Sequence, residues 1–409
     1  MDKITVQQAA EKWGVSPRRV QDLCKRGEIT GAVLWHRSWM IPSDAEYPTK
    51  KENIINEDSG CSALRQTPFL NMTDLYSKVG MADECIAALA DNPEAQALFA
   101  AEIAYSRGEI NKVIEQAKYF LNSRLDFYAV NAGGMLLALC AMWKGDVLLW
   151  REAKKRICEA PAKSGNDNSI MALSLACINS AIRDLSDYPK WFTIGKFGHL
   201  PPDSHPAARI FYIKYLLVFA QDMAKSRMKL PDVTGLGLMK TIPYIAEPMI
   251  AQAQTEKTVV PEIYLRLLVA VAYHQCGDDA SAVEHIDKAI ELALPDRLLG
   301  ILAEHRRQLD YLLDDRLELA SPQACRKYKE LHKGLLEGWT MLHNELLSRN
   351  VSKMLTVKER EIARLAAFGL TNPQIAKQLN VSVDTAKQAV YDIMNKTGAN
   401  SRDELGEYV

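Results

Sequence analysis

The sequence predicts a mostly α-helical protein in three parts. They are a winged helix-turn-helix at the N-terminus, an α-solenoid of helical hairpins in the middle and a compact helix-turn-helix bundle at the C-terminus. Three observations lead there. Strand-like alternation is scarce, and long stretches instead carry apolar residues at i, i+3, i+4 and i+7. Gly-acidic steps recur between amphipathic segments in the middle of the chain. Both ends carry a short helix, a tight turn and a second helix, each opened by capping signals.

The 409 residues leave room for two or three domains at about 150 residues each. Hydrophobic residues are 48% and charged residues 25% of the chain, which excludes disorder over most of it. The formal net charge is −1, so any nucleic acid must be held by a local patch and not by a global field. Eight scattered cysteines with no C-x-x-C pair suggest reduced, mostly buried thiols in a cytoplasmic protein. The first residues, MDKITVQQAAEKWG, hold no apolar signal core. The longest apolar runs, Met135–Trp143 and the Lys214-interrupted Ile210–Ala220, fall far short of the ~20 residues a bilayer needs. No membrane partner is expected.

In residues 1–48, Thr5 and Gln8 form a capping box that opens a helix containing Ala9, Ala10 and Trp13. Gly14 makes the turn, and Ser16-Pro17 starts a second helix. Val20, Leu23 and Cys24 should face inward there, and Arg18, Arg19, Asp22 and Lys25 outward. Gly31–Ile41 is rich in β-branched and aromatic residues and reads as a hairpin turning near His36–Arg37. Trp35 and Trp39 are expected to pack on that hairpin. This segment resembles the small MerR/excisionase-like winged-helix module. The resemblance implies that Arg18 and Arg19 contact DNA and that Arg37 reaches phosphate. The competing reading makes the module a protein-contact element.

Residues 49–70, polar and containing KKENIINEDSG, read as a linker. Residues 71–350 are helical throughout. AYSRGEINKVIEQAKYFL, AMWKGDVLLWREAKKRI and AYHQCGDDASAVEHIDKAIELA each pass from a helix end through Gly-acidic (Gly108-Glu109, Gly145-Asp146, Gly277-Asp278) into a second amphipathic helix. Gly108 and Gly145 lie 37 apart, near the period of about 34 of tetratricopeptide units. These segments resemble tetratricopeptide-like hairpins, which implies a surface for a peptide or protein ligand. Residues 184–261 hold several prolines and no readable register. The run IFYIKYLLVF (Ile210–Phe219) reads as core, with a lined ligand pocket as the lesser alternative.

Residues 351–409 are the most informative. Thr356 and Glu359 form a capping box, Ile362, Leu365 and Ala366 share a helix face, and Gly369 ends that helix. Thr371-Asn372-Pro373-Gln374 caps a second helix with Ile375, Ala376 and Leu379. After a turn at Asn380-Val381, Ser382 caps a third. Val383, Ala386, Val390, Ile393 and Thr397 line its expected core side. Asp384, Lys387, Gln388, Tyr391 and Asn395 line the other side, placed to enter a major groove.

The stretch LTVKEREIARLAAFGLTNPQIAKQLNVSVDTAKQAVYDIMNKTGANSR closely resembles the LuxR-type (GerE-like) DNA-binding domain. It carries that family's L-T-x-x-E, G-L-[ST]-N-x-x-I-A-x-x-L, [VI]-S-x-x-T-x-K and I-x-x-K-x-x-x-x-x-R patterns in order. The resemblance implies that Lys387, Gln388 and Tyr391 read bases. It places Thr371, Asn372, Ser382, Thr385, Lys396 and Arg402 near phosphates. The chain departs at Ala386 and Ala389, where the family carries Val and often His. From Ser352 onward eight basic residues face seven acidic ones, so one copy should bind weakly and a homodimer reading two half-sites is expected.

Catalytic and cofactor chemistry is not visible. No G-x-x-x-x-G-K-[ST] loop occurs, no H-E-x-x-H spacing, and no nucleophile arrangement stands out. The sequence therefore points to a non-enzymatic, sequence-specific regulator that binds double-stranded DNA, with no cofactor and with the helical middle as sensor or platform. The rival reading is a peptide- or protein-binding scaffold whose terminal modules contact protein. A more distant one is an enzyme with a pocket in residues 184–260.

Overall fold

The computed structural model describes residues 3–13, 15–25, 29, 31–35, 38–43, 45, 67–122, 127–160, 165–225, 234–347, 355, 357–397, 399 and 401–408. In its N-terminal unit, residues 1–62, strand β1 (Lys3–Thr5) leads into α1 (Val6–Trp13), α2 (Pro17–Lys25), β2 (Val33–Trp35) and β3 (Ser38–Pro42). The expected capping box forms. The Thr5 amide donates to Gln8 Oε1 at 2.8 Å, and the Gln8 amide donates to Thr5 Oγ1 at 3.3 Å. The strands make one antiparallel sheet in the order β1-β3-β2, with Trp35 opposite Ser38 and Ile4 opposite Ile41. The hairpin was expected and β1 was not, because three residues are too few to show alternation.

Ala9, Ala10, Val20, Leu23, Cys24, Ile29 and Ile41 form this unit's core. Trp39 packs against it, half-buried. Trp35 does not: it is 65% exposed, as are Val33 at 41% and Leu34 at 61%. Trp35 lies on β2, an edge strand paired with β3 alone among the described residues, which leaves it outside that core.

Most of the expected linker, 49–66, lies outside the described residues. Its last four residues are not linker. Thr67 and Phe69 are fully buried and Leu70 nearly so. They open the second unit, whose large apolar core contains Phe69 and Leu70. The Glu102 carboxylate holds them by accepting the Leu70 amide at 3.0 Å and the Asn71 amide at 2.8 Å.

The helices of the middle region are α3 (Ala82–Ala87), α4 (Pro93–Arg107), α5 (Ile110–Asn122), α6 (Phe127–Lys144), α7 (Val147–Cys158), α8 (Gly165–Ala181) and the single turn α9 (Lys190–Thr193). There follow α10 (His205–Lys225), α11 (Gly235–Glu256), α12 (Val259–Gln275), α13 (Asp279–Ala293), α14 (Leu299–Ala320) and α15 (Pro322–Leu347). The three Gly-acidic steps are the hinges of α4/α5, α6/α7 and α12/α13. Gly108, Gly145 and Gly277 adopt φ of 83°, 68° and 81°, a left-handed helix end that costs other residues energy. Asp146 and Asp278 then cap the next helix, accepting the amides of Leu149 at 2.9 Å and Ser281 at 3.1 Å.

The stretch without sequence register folds as α9, α10 and α11, the last with Pro243 and Pro248 inside it. The Ile210–Phe219 run lies on α10. Ile210, Phe211 and Ile213 are buried, and Tyr215 stacks on Phe219. The array returns on itself: α14 packs on α4, and α15 packs on α6 and α7. The second contact needs a glycine. A Cβ at Gly338 would lie 2.3 Å from the Trp143 carbonyl oxygen. Sequence spacing showed the hairpins but not this closure.

Four further elements end the chain: α16 (Val357–Ala367), α17 (Asn372–Gln378), α18 (Val383–Thr397) and a 3-10 helix, Asp403–Tyr408. Among the described residues, no helix is long and apolar enough to cross a membrane.

Candidate nucleic-acid interface

The C-terminal bundle has its own core, including Leu355, Ile362, Leu365, Ile375, Ala386, Val390, Ile393 and Leu405. Gly369 ends α16 with φ of 82°. The Thr371 amide then donates to Gln374 Oε1 at 2.8 Å, completing the second capping box. Thr356 lies outside the described residues. Asn380 takes φ of 51° in the turn to α18, a conformation asparagine tolerates better than most residues. Ser382 caps α18 by accepting the Thr385 amide at 3.1 Å.

On α18 the two faces separate largely as the spacing predicts. Ala386, Val390 and Ile393 are buried, and Thr397 is half-buried with its hydroxyl donating to the Ile393 carbonyl at 2.8 Å. Val383 departs from the expectation: it is 46% exposed, because the first turn projects beyond the core. Asp384, Lys387, Gln388, Tyr391 and Asn395 are all exposed, with Tyr391 at 59%. Gln388 Nε2 donates to Asp392 Oδ1 at 2.9 Å along the helix, which holds its amide in one orientation.

The residues expected near phosphates divide. Thr371, Ser382 and Thr385 are exposed at the starts of α17 and α18. Lys396 lies on α18, with its side chain outside the described positions. Arg402 and Asn372 meet each other: Arg402 donates to Asn372 Oδ1 at 3.0 Å and to the Leu370 carbonyl at 2.9 Å. Both are half-buried, so this arginine braces the chain end against the α16–α17 turn. In the N-terminal unit Arg18 is exposed on α2. The side chain of Arg19 and all of Arg37 lie outside the described residues. Lys12 is held to the chain, donating to the carbonyls of Ser43 at 2.8 Å and Ala45 at 3.2 Å.

The bundle docks on the array through α16 and the 3-10 helix, which pack on α14 and α10 respectively. Arg364 donates to the His274 carbonyl at 3.2 Å. Burial raises the Glu361 carboxyl above its ordinary range, against the pull of Arg364 and His274. Nearby, His274 Nδ1 sits 2.6 Å from Asp279 Oδ1, and Tyr311 donates to Asp279 Oδ2 at 2.9 Å. Burial pushes the Asp279 carboxyl up, but the hydrogen bond and charge of His274, the Tyr311 hydroxyl and the Arg364 charge together outweigh it and hold it low. Sequence reasoning missed Glu361 and Arg364 as contact residues. Their only signal was polar residues one helical turn apart, which reads equally well as a solvated face.

Compared along its length with curated proteins and with solved structures, the chain matches none. Residues 353–409 match the family described as bacterial regulatory proteins, luxR family. The segment that carries the exposed α18 face is therefore a LuxR-type helix-turn-helix, and at that level the protein is a DNA-binding transcriptional regulator.

Proposed function

We infer that the protein binds duplex DNA sequence-specifically by laying α18 in the major groove, as a homodimer, in the cytoplasm and without catalysis. One observation carries the reading. The docked bundle keeps Lys387, Gln388 and Tyr391 exposed, while the buried charges lie on α16. Base reading falls to Lys387, Gln388 and Tyr391. Thr371, Ser382, Thr385 and Lys396 supply backbone contacts, with Asn372 and Arg402 positioning the α17 start. Because Arg360 and Arg364 face the array's side and Arg402 is internally bonded, few cations of the bundle remain for phosphate. Two copies on two half-sites offset that shortage. The tetratricopeptide-like array acts as a sensor or platform for a small ligand, a peptide or a protein.

The N-terminal module, MerR/excisionase-like in sequence, supports two readings. Exposed Arg18 on α2 favours a second DNA contact. The exposed apolar strand Val33–Trp35 favours contact with protein instead. Fluorescence anisotropy of the full chain on labelled promoter duplexes, across a salt series, tests the main reading. Site preference with steep loss of affinity as salt rises is expected. Indifference to duplex DNA at low salt would end it and favour a scaffold.

A further inference from the structure

The array and the C-terminal bundle together line a cavity of about 200 Å³. Its walls are largely apolar. Met135, Leu139 and Met142 of α6 and Phe211 and Leu217 of α10 supply much of the surface, and α16 adds Phe368.

The charged groups on this lining are already engaged. Lys214 pairs with Glu304 at 3.3 Å, and Glu304 also accepts the hydroxyls of Tyr105 at 2.6 Å and Tyr264 at 3.3 Å. Arg364 donates to the His274 carbonyl, Arg307 lies over the Trp339 ring, and Arg360 has partners of its own. Burial pushes the Glu102 carboxyl up to about 8, so it carries little charge near neutrality. Burial also lowers His305 and, beside Arg360, His332 to about 4, which keeps both rings neutral. A charged ligand would give up its hydration here and meet no group left to pair with it.

One polar group on the lining is not engaged. The Arg183 guanidinium can only donate, and it donates to Gln221 Oε1. The Gln221 amide nitrogen therefore points onward, and donates to Gln275 Oε1 at 3.0 Å. Gln275 is held with its oxygen turned to Gln221 and its Nε2 left over. The arginine at the head of this chain fixes the order, because reversing either amide would set donor against donor. Gln221 is 7% exposed and Gln275 8%, and both line the cavity. Gln275 Nε2 has no hydrogen-bond partner among the described residues. A buried donor without an acceptor costs free energy, and an oxygen brought by a ligand removes that cost.

We propose that this cavity binds a compact neutral carbonyl compound. Its carbonyl oxygen accepts from Gln275 Nε2, and its apolar body lies along α6 and α10. A dry cavity of about 150 Å³ admits benzene, so this one suits a molecule of about ten non-hydrogen atoms. Gln275 directly follows His274, whose carbonyl holds Arg364 of α16, so the ligand lies beside the contact that seats the DNA-binding bundle. In that consequence the inference rests on the sensor role proposed above, whereas binding itself is measured without DNA.

The test uses the full chain with acetophenone and propiophenone, by calorimetry and thermal shift. Each is set against the hydrocarbon in which a methylene replaces the carbonyl, ethylbenzene or propylbenzene, and against phenylacetate. At least one ketone is expected to bind and raise the Tm, about fivefold or more tighter than its hydrocarbon and tighter than phenylacetate. Gln275→Met removes the donor at similar length and should reverse the order, since a carbonyl buried without a donor binds worse than a methylene. Leu139→Trp should fill the cavity and abolish binding, with helical content kept in both variants. No binding of either ketone, a hydrocarbon or phenylacetate bound as tightly as the ketone, a ketone preference kept in folded Gln275→Met, or full binding by folded Leu139→Trp overturns the proposal. The wild-type comparison decides by itself where a variant fails to fold. Duplex binding measured on the same preparation separates the two failures. DNA bound with no ketone bound sinks this site alone, and ketone bound with no DNA bound sinks the regulator reading.

Discussion

The Arg364 guanidinium donates to the His274 carbonyl across 3.2 Å, tying the first helix of the DNA-binding bundle to α12 of the array. Arg364 is 8% exposed and Glu361, one turn earlier, 9%. In a free-standing bundle both positions would face water. Here they form a buried polar contact that fixes which side of the bundle turns away from the array.

Replacing Arg364 by Ala leaves the His274 carbonyl without this donor and removes the strongest of the charges that favour an ionised Glu361. A cost of about 1–3 kcal/mol is expected. Urea unfolding of the full chain measures it. An unmoved midpoint would show that the docking draws nothing from this bond.

Lys387→Ala is expected to weaken binding by about 1–3 kcal/mol, with relaxed discrimination at one base position, if the side chain reads a base edge. Competition among single-base operator variants gives the result. Uniform loss across all of them would move Lys387 to the phosphate backbone.

Gly338→Ala should destabilise the array by about 1–3 kcal/mol, since its Cβ would meet backbone oxygen and not a movable side chain. Gly334, on the same helix with open space around its Cβ position, is the control. A Gly334→Ala variant should be neutral or slightly stabilising. Equal effects of the two in thermal unfolding would refute the close approach of α15 to α6.

Stability should fall between about pH 6.5 and 4. Burial holds His305 and His332 neutral in the folded chain, with values lowered to about 4. Across that window the unfolded chain binds protons that the folded chain refuses, so stability present above pH 6.5 is lost on acidification, by at most about 1.4 kcal/mol per pH unit per group. His205 and His285, also lowered, act in the same sense. Glu102 acts oppositely: its carboxyl is pushed up to about 8, so its contribution is present below the ordinary glutamate range and is lost as pH rises. His305→Phe should flatten the acid limb in denaturant titrations at several pH values. An unchanged slope would assign the limb to other groups.

The sequence by itself determined the local devices. Capping pairs such as Thr5/Gln8 and Thr371/Gln374, the left-handed hinges at Gly108, Gly145 and Gly277, and the two-faced pattern of α18 all depend on residues within one or two turns. Such interactions are written in neighbouring positions, and the family match of residues 353–409 rests on the same short-range patterns. Tertiary structure alone decided what lies opposite each device. It brought Gly338 against Trp143, Arg402 against Asn372, Arg364 against His274, and the arginines of α16 beside His332. Arg364 and His274 are 90 positions apart and Arg402 and Asn372 30, far beyond the one or two turns over which those devices act. Charge and small size are properties a residue keeps whether it faces solvent or a distant neighbour, so the sequence could not say which it met.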